Sequence, residues 1–369
     1  MSSYSRRQFL KNLGAASALF LAGRAGAQMP VFESADGAKP FEMLVLGDSV
    51  ASGHGLTEDR KFYTLVKTWL ETGIFQNTRA VNLKVKAHSG TTLALHPDVA
   101  AALGRAEIDE TDALHPEINI DYPTAEKQID IAAREYKTGE AGADLILLTA
   151  GINDITTTVI LDPFGDDDKL RRDVAKYCRD RMLDLLRHAG AAFPGAKIAL
   201  VGYYPLVSPK TRSGRFLDAL LEVYDLPRPL KPLANNPFTK QFFKIFHQKS
   251  ARRSRIWVEE SNRCFREAVR EFNAGFAKPR AVFVESPITE ENCFGTKQPL
   301  VFGMGRKGRT GDLTYDERSV ECRNAAPALK NIKGLKYSVH FCRVSGLAHP
   351  NVEGARAYAE AIKRVLNHF

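Results

Sequence analysis

Short apolar runs alternate along this chain with longer stretches of helical period. Residues 41–47, 143–149, 197–203 and 281–285 are compact apolar runs of strand length, and 81–87 alternates apolar with polar residues. Between them, 61–71, 124–137, 168–189 and 258–272 place apolar residues at helical spacing, and 351–366 closes the chain with a further helix that has Gly354 near its start. Strands that are apolar throughout need cover on both faces. The alternation therefore predicts an α/β fold, a three-layer α/β/α sandwich around a central parallel sheet. Such sheets bind ligands at the carboxyl ends of their strands. Three polar clusters fall there: Asp48-Ser49 after the first run, His88-Ser89-Gly90 after the second, and Gly151-Ile152-Asn153-Asp154 after the third.

Two long segments, at about 208–256 and 286–340, interrupt the alternation and are expected as insertions in one domain spanning 41–369. The first holds eleven Lys and Arg against Asp218, Glu222 and Asp225, with Phe216, Phe238, Phe242, Phe243 and Phe246 interleaved. Cations and aromatics on one segment suit a lid or wall that meets an anionic lipid surface. A solvated loop whose aromatics pack on the main domain fits the same residues. No recognised nucleic-acid motif accompanies the charge, so no nucleic-acid partner is expected.

The first 27 residues read as a targeting segment rather than as part of the fold. A basic stretch ending at Lys11 is followed by a short apolar core from Leu13 to Gly23 and the small residues Ala25-Gly26-Ala27. The core is too short to cross a bilayer, which takes about 20 residues. Ser5-Arg6-Arg7-Gln8-Phe9-Leu10-Lys11 resembles a twin-arginine export signal, which implies passage through the twin-arginine translocase, a periplasmic or secreted location, and cleavage after about Ala27. Residues 28–40 then form a linker. The signal carries four of the cations, Arg6, Arg7, Lys11 and Arg24, and no acid, so the formal charge drops from +9 to +5 on cleavage. That modest excess fixes no partner by itself.

Five cysteines, at 178, 264, 293, 322 and 342, show neither a zinc spacing nor a CxxC pair. In an oxidising compartment a Cys322–Cys342 bridge is expected to stiffen the stretch before His349. The odd count leaves at least one thiol free or paired between chains.

A serine hydroxyl becomes a nucleophile only beside a base, and it needs donors aimed at the oxyanion it creates. A strand-end loop facing the crevice provides a fixed site for such a serine. Gly47-Asp48-Ser49, Gly90, Gly151-Ile152-Asn153-Asp154 and His349-Pro350-Asn351, with Gly354 and Tyr358 behind them, together resemble the four blocks of the SGNH (GDSL-type) hydrolases, in that family's order. The resemblance covers about residue 41 to the C-terminus apart from the two insertions. It implies the flavodoxin-like fold of that family and an ester hydrolase that uses no cofactor and no metal. It further implies Ser49 as nucleophile and His349 as base, with the Ser49 N–H, the Gly90 N–H and the Asn153 amide as oxyanion hole. Glycine at 90 is expected because a substrate must approach the backbone there. Asp48 and Asp154 are expected to hold loop backbones, and His54 and His88 to be structural.

The chain departs from the pattern at one place. Family members carry Asp three residues before the histidine, and here that position is Gly346. A backbone carbonyl facing Nδ1, or an acid from elsewhere in the chain, would fix the same tautomer. An esterase or lipase for small-molecule or lipid esters is the reading favoured by the basic-aromatic segment. A carbohydrate O-acetyl esterase and a non-catalytic binding protein on the same fold stay open beside it. A dehydrogenase is disfavoured, since the loop after the first strand lacks GxGxxG.

Overall fold

The sheet is built from five parallel strands: β1 (Phe41–Gly47), β2 (Val81–Val85), β3 (Leu145–Thr149), β4 (Lys197–Val201) and β5 (Ala281–Val284). The computed structural model describes residues 39–94, 115–137, 142–223, 237–305, 309–330 and 337–369. The expected targeting segment, residues 1–27, and all but the last two residues of the expected linker lie outside them. Every residue of β3 is buried, as are the last five of β1, which is why Met43–Leu46 and Leu145–Leu148 are apolar throughout. No helix among the described residues is long and apolar enough to cross a membrane.

The strand order is β2-β1-β3-β4-β5. β1 leads outward to β2 through the Phe62–Trp69 helix. The chain then returns past β1 to β3 through the Ala125–Lys137 helix. Growth of the sheet reverses between β1 and β3, and right-handed crossovers place the two connections on opposite faces. Phe62–Trp69 packs with the closing Val352–Leu366 helix, whereas Ala125–Lys137, Met182–Ala192 and Pro237–Asn273 form the other layer. The expected three-layer α/β/α fold is thus the fold observed. A crevice at the carboxyl ends of β1 and β3, where the order reverses, is the ligand position inherent in this topology.

The long segments differ from expectation. The first is not a loop: it contains the Ser213–Val223 helix and most of a 37-residue helix, Pro237–Asn273, of which the expected 258–272 helix is only the end. Pro237 stands at the first helical position, where its missing N–H costs nothing. The long helix lies against Asp167–Ala175, Met182–Ala192 and β5, and also against the Thr157–Leu161 helix just past Asn153. Four of its segment's cations are spent on acids outside it: Lys210 on Glu291, Arg252 and Arg253 on Asp167, and Arg255 on Glu290. The second segment contains the Tyr315–Leu329 helix, joined to Val339–Val344 by the Cys322–Cys342 disulfide that the sequence suggested. Cys178, Cys264 and Cys293 are free and buried.

Candidate active site

Ser49 stands two residues beyond Gly47, whose turn ends β1. Gly47 makes that turn with φ of +121°, and a Cβ there would lie 1.8 Å from the Thr149 carbonyl oxygen, so only glycine lets β1 and β3 close up at this end. Asp48 is fully buried. One of its carboxylate oxygens accepts from the Val50 N–H at 2.9 Å, and the other from the Tyr203 hydroxyl. Tyr203 in turn accepts from the Ile152 N–H at 3.3 Å. One phenol therefore ties the serine loop to the Asn153 loop. Loss of hydration raises the Asp48 carboxyl to about 7. Gln128, which sequence reasoning missed, completes the frame. Its amide accepts from the Gly47 N–H at 2.6 Å and donates to the Gly47 carbonyl and to Thr91 Oγ1. A glutamine on the buried face of an otherwise amphipathic helix was the available signal.

His349 arrives from the far end of the chain and places Nε2 2.7 Å from Ser49 Oγ. The segment carrying it is clamped. The Phe302 N–H donates to the His349 carbonyl at 2.7 Å, the Ala348 N–H to the Phe302 carbonyl, and the Tyr204 hydroxyl to the Ala348 carbonyl at 2.9 Å. Ala348 takes φ of +63°, a left-handed conformation that costs a non-glycine residue about 1–2 kcal/mol. The clamps hold that strained residue directly before the base. Asn351 caps the closing helix by accepting from the Gly354 N–H, so the residue after Pro350 is structural.

The expected oxyanion donors stand in the loops that follow β1, β2 and β3. Among the described residues, neither the Ser49 N–H nor the Gly90 N–H is spent on another group. Asn153 Nδ2 donates one hydrogen to the Thr91 carbonyl at 2.9 Å, which orients its plane and leaves the second for a ligand. Asp154 accepts from the Leu93 N–H with both oxygens, and burial raises its carboxyl to about 7. Both acids hold loop backbones, as expected. Gly90 also has a local reason to be glycine: its φ is +85°, and an added Cβ would lie 2.4 Å from the Ile120 carbonyl oxygen, so the adjoining Ile120 segment excludes a side chain.

The surroundings of the base hold what the sequence concealed. His349 Nδ1 is buried without a hydrogen-bond partner. The Leu347 carbonyl favours a proton on the ring but makes no full hydrogen bond to it, so the anticipated carbonyl partner is only weakly engaged. Lost hydration first, and then the Arg318 guanidinium, bring the imidazole down to about 4; Glu117 and Asp312 oppose that fall. His54 packs against His349 with ring centroids 4.8 Å apart and the planes tilted by 47°. Its Nε2 lies 2.8 Å from Ser345 Oγ, whose own hydrogen goes to the Cys342 carbonyl, so His54 is the donor and carries its proton on Nε2. Burial drives its pKa well below the usual histidine range, with Arg318 adding to the effect.

No protein-family model matches the sequence, and no curated protein does. Solved structures with a similar course of chain exist at low identity. A carbohydrate esterase family 2 enzyme with a carbohydrate binding domain, from Corynascus thermopiles (Myceliophthora fergusii), is 13% identical with a TM-score of 0.42, over 92% of this chain and 68% of that one. An extracellular lipase from Streptomyces rimosus is 12% identical with a TM-score of 0.43, over 89% of this chain and 99% of that one. A carbohydrate acetylesterase from Sinorhizobium meliloti is 12% identical with a TM-score of 0.36, over 89% and 100%.

The chemistry therefore has to be read from the residues. They supply a hydroxyl in contact with an imidazole, donors in the loops after β1, β2 and β3, and the reversal of strand order between β1 and β3. Among the described residues, no group of three or more His, Cys, Asp or Glu is arranged to hold a metal ion.

Proposed function

We propose that the chain is a serine carboxylic-ester hydrolase acting through an acyl-serine intermediate. The observation that carries this reading is the 2.7 Å contact between Ser49 Oγ and His349 Nε2 at the carboxyl end of β1. An imidazole held near 4 is neutral at pH 7 and free to accept the serine proton. In the proposed reaction Ser49 Oγ attacks the ester carbonyl while its proton passes to His349 Nε2. The carbonyl oxygen becomes an oxyanion facing the Ser49 N–H, the Gly90 N–H and the Asn153 amide. Collapse breaks the bond to the alcohol, which leaves with the proton from His349. Water then repeats the sequence on the acyl-serine, giving its proton to His349 and releasing the acid with Ser49 restored.

Export by the twin-arginine route belongs to the same proposal and rests on residues 5–27. For substrate, the reading favours hydrophobic esters at a surface. Phe164 is 72% exposed and Ile245 45% exposed, and Lys249 lies over the Phe164 ring. Apolar residues beside a cation form an element that can rest on an anionic lipid surface.

The test is turnover of p-nitrophenyl esters from acetate to palmitate by the mature chain and its Ser49→Ala variant. Ser49-dependent turnover that rises with chain length, and increases on anionic vesicles, supports the lipid ester reading. Activity confined to acetate points to a carbohydrate O-acetyl esterase. A folded protein without turnover on any ester points to a binding role.

A further inference from the structure

The proposed base has a buried Nδ1 with no hydrogen-bond partner, yet it must become a cation during each proposed reaction cycle. Something nearby has to favour that cation, because an isolated buried charge is too costly. The candidates lie in one buried cluster drawn from four parts of the chain. Arg318 is fully buried and makes a two-pronged pair with Asp312, Nη1 to Oδ1 and Nη2 to Oδ2, each at 2.8 Å. The same guanidinium donates to Glu117 Oε2 at 2.8 Å. Glu117 also accepts from the Gly55 N–H and from Thr314 Oγ1, and so anchors the loop that follows Ser49. Two carboxylates accept every bond they make here, against one guanidinium. The cluster is thus one negative charge in excess while His54, between it and the base, stays neutral.

Gly346 shows how close this charge comes to the base segment. Its φ lies outside the left-handed region, so its backbone would admit any residue. What excludes a side chain is Asp312. A Cβ at position 346 would lie 2.4 Å from Asp312 Oδ2 and 2.8 Å from Arg318 Nη2. The place next to the base segment that a side chain from 346 would fill already holds a carboxylate, delivered by a different loop.

We propose that Asp312, held by Arg318, is the positioning acid for the His349 base, and that position 346 is glycine to admit it. Asp312 makes no hydrogen bond to the His349 ring; it acts through the field of the cluster and through contact with Gly346. When His349 takes the Ser49 proton, the excess negative charge is balanced, and it is unbalanced again when the proton leaves with the alcohol. This inference rests on the ester-hydrolase reading above.

The test is the pH dependence of kcat and KM for p-nitrophenyl acetate in the wild type and in Ser49→Ala, Asp312→Asn, Asp312→Gly, and Asp312→Gly combined with Gly346→Asp, with circular dichroism to confirm folding. The charged groups around His349 are Arg318, Glu117 and Asp312, with His54 neutral against its ring. Asp312→Asn should lower kcat by roughly tenfold or more with little change in KM. The acid limb should move to lower pH, because losing a negative charge makes the base harder to protonate. The double variant should recover most of the activity lost in Asp312→Gly, since it restores a carboxylate from the other side of the same gap. A purely structural Asp312 would shift neither the limb nor gain from the swap. Wild-type kcat and an unmoved limb in folded Asp312→Asn would overturn the proposal. So would a double variant no more active than Asp312→Gly; if Asp312→Asn does not fold, that comparison decides. Full activity in Ser49→Ala would instead refute the ester-hydrolase reading itself.

Discussion

Gly90→Ala tests the geometry around the candidate oxyanion hole at a single methyl group. Position 90 sits at φ of +85°, so any other residue meets the left-handed penalty of about 1–2 kcal/mol. The new Cβ would also lie 2.4, 2.5 and 2.7 Å from the carbonyl oxygen, the nitrogen and the carbonyl carbon of Ile120. These are backbone atoms, and Ile120 is fixed by its N–H bond to the Ser89 carbonyl, so no side chain can swing away. Overpacking of this kind costs about 1–3 kcal/mol. The two costs together predict a loss of about 2–5 kcal/mol, measured as a fall in urea midpoint at constant m. Relief of the clash must move the Gly90 N–H, and displacing one oxyanion donor lowers kcat by about 100- to 1,000-fold. Gly303→Ala is the control: an added Cβ there meets nothing within 4 Å, and its stability should change by less than about 0.5 kcal/mol. A Gly90→Ala protein as stable as the control, with unchanged kcat, would refute both the close approach to Ile120 and the use of this N–H.

Three further outcomes follow from the same geometry. The acid limb of kcat/KM should lie near pH 4, since a base held at about 4 loses its lone pair only below that; a limb near 6.5 would mean an ordinary, hydrated histidine. Tyr203→Phe removes the donor to Asp48 and the acceptor for the Ile152 N–H, and should cost about 1–3 kcal/mol in a urea titration, with kcat falling as the two loops loosen. Reducing the Cys322–Cys342 bridge, which spans 20 residues, should cost about 3 kcal/mol of stability, read as a lower urea midpoint in dithiothreitol that Cys322→Ser reproduces without it.

The strands were legible because the buried stretches of β1 and β3 are apolar, and Ser49 and Asn153 each stand just past such a run, whereas Gly90 follows the alternating, half-buried β2. His349 was legible only as part of a set of blocks, since one histidine before Pro-Asn reads equally well as a helix start. The long helix was hidden by its own buried face. Ser250, Ser254 and Ser261 are all fully buried there, beside Trp257, Cys264 and Phe265. The Ser250 hydroxyl donates to the Leu161 carbonyl, and Ser254 Oγ accepts from the Val207 N–H. Those two serines satisfy their polar atoms on distant segments of the chain but score as solvent-facing in a hydropathy pattern. The prolines ahead of Pro237 then made the segment look like a loop. The cluster around His349 was out of reach for another reason. Glu117 and Arg318 are 201 residues apart, and nothing local marks either as buried. The absence of an acid at 346 was visible in the sequence; the carboxylate of Asp312 beside it was visible only in three dimensions.

The central claim is that Ser49, activated by His349, becomes acylated. It is tested most directly by intact-protein mass spectrometry after exposure to a p-nitrophenyl alkylphosphonate, with peptide mapping of the adduct. The account predicts one adduct per chain on Ser49, labelling slowed by orders of magnitude in His349→Ala, and none in Ser49→Ala. An unlabelled folded wild type, or an adduct that persists in Ser49→Ala, would contradict it.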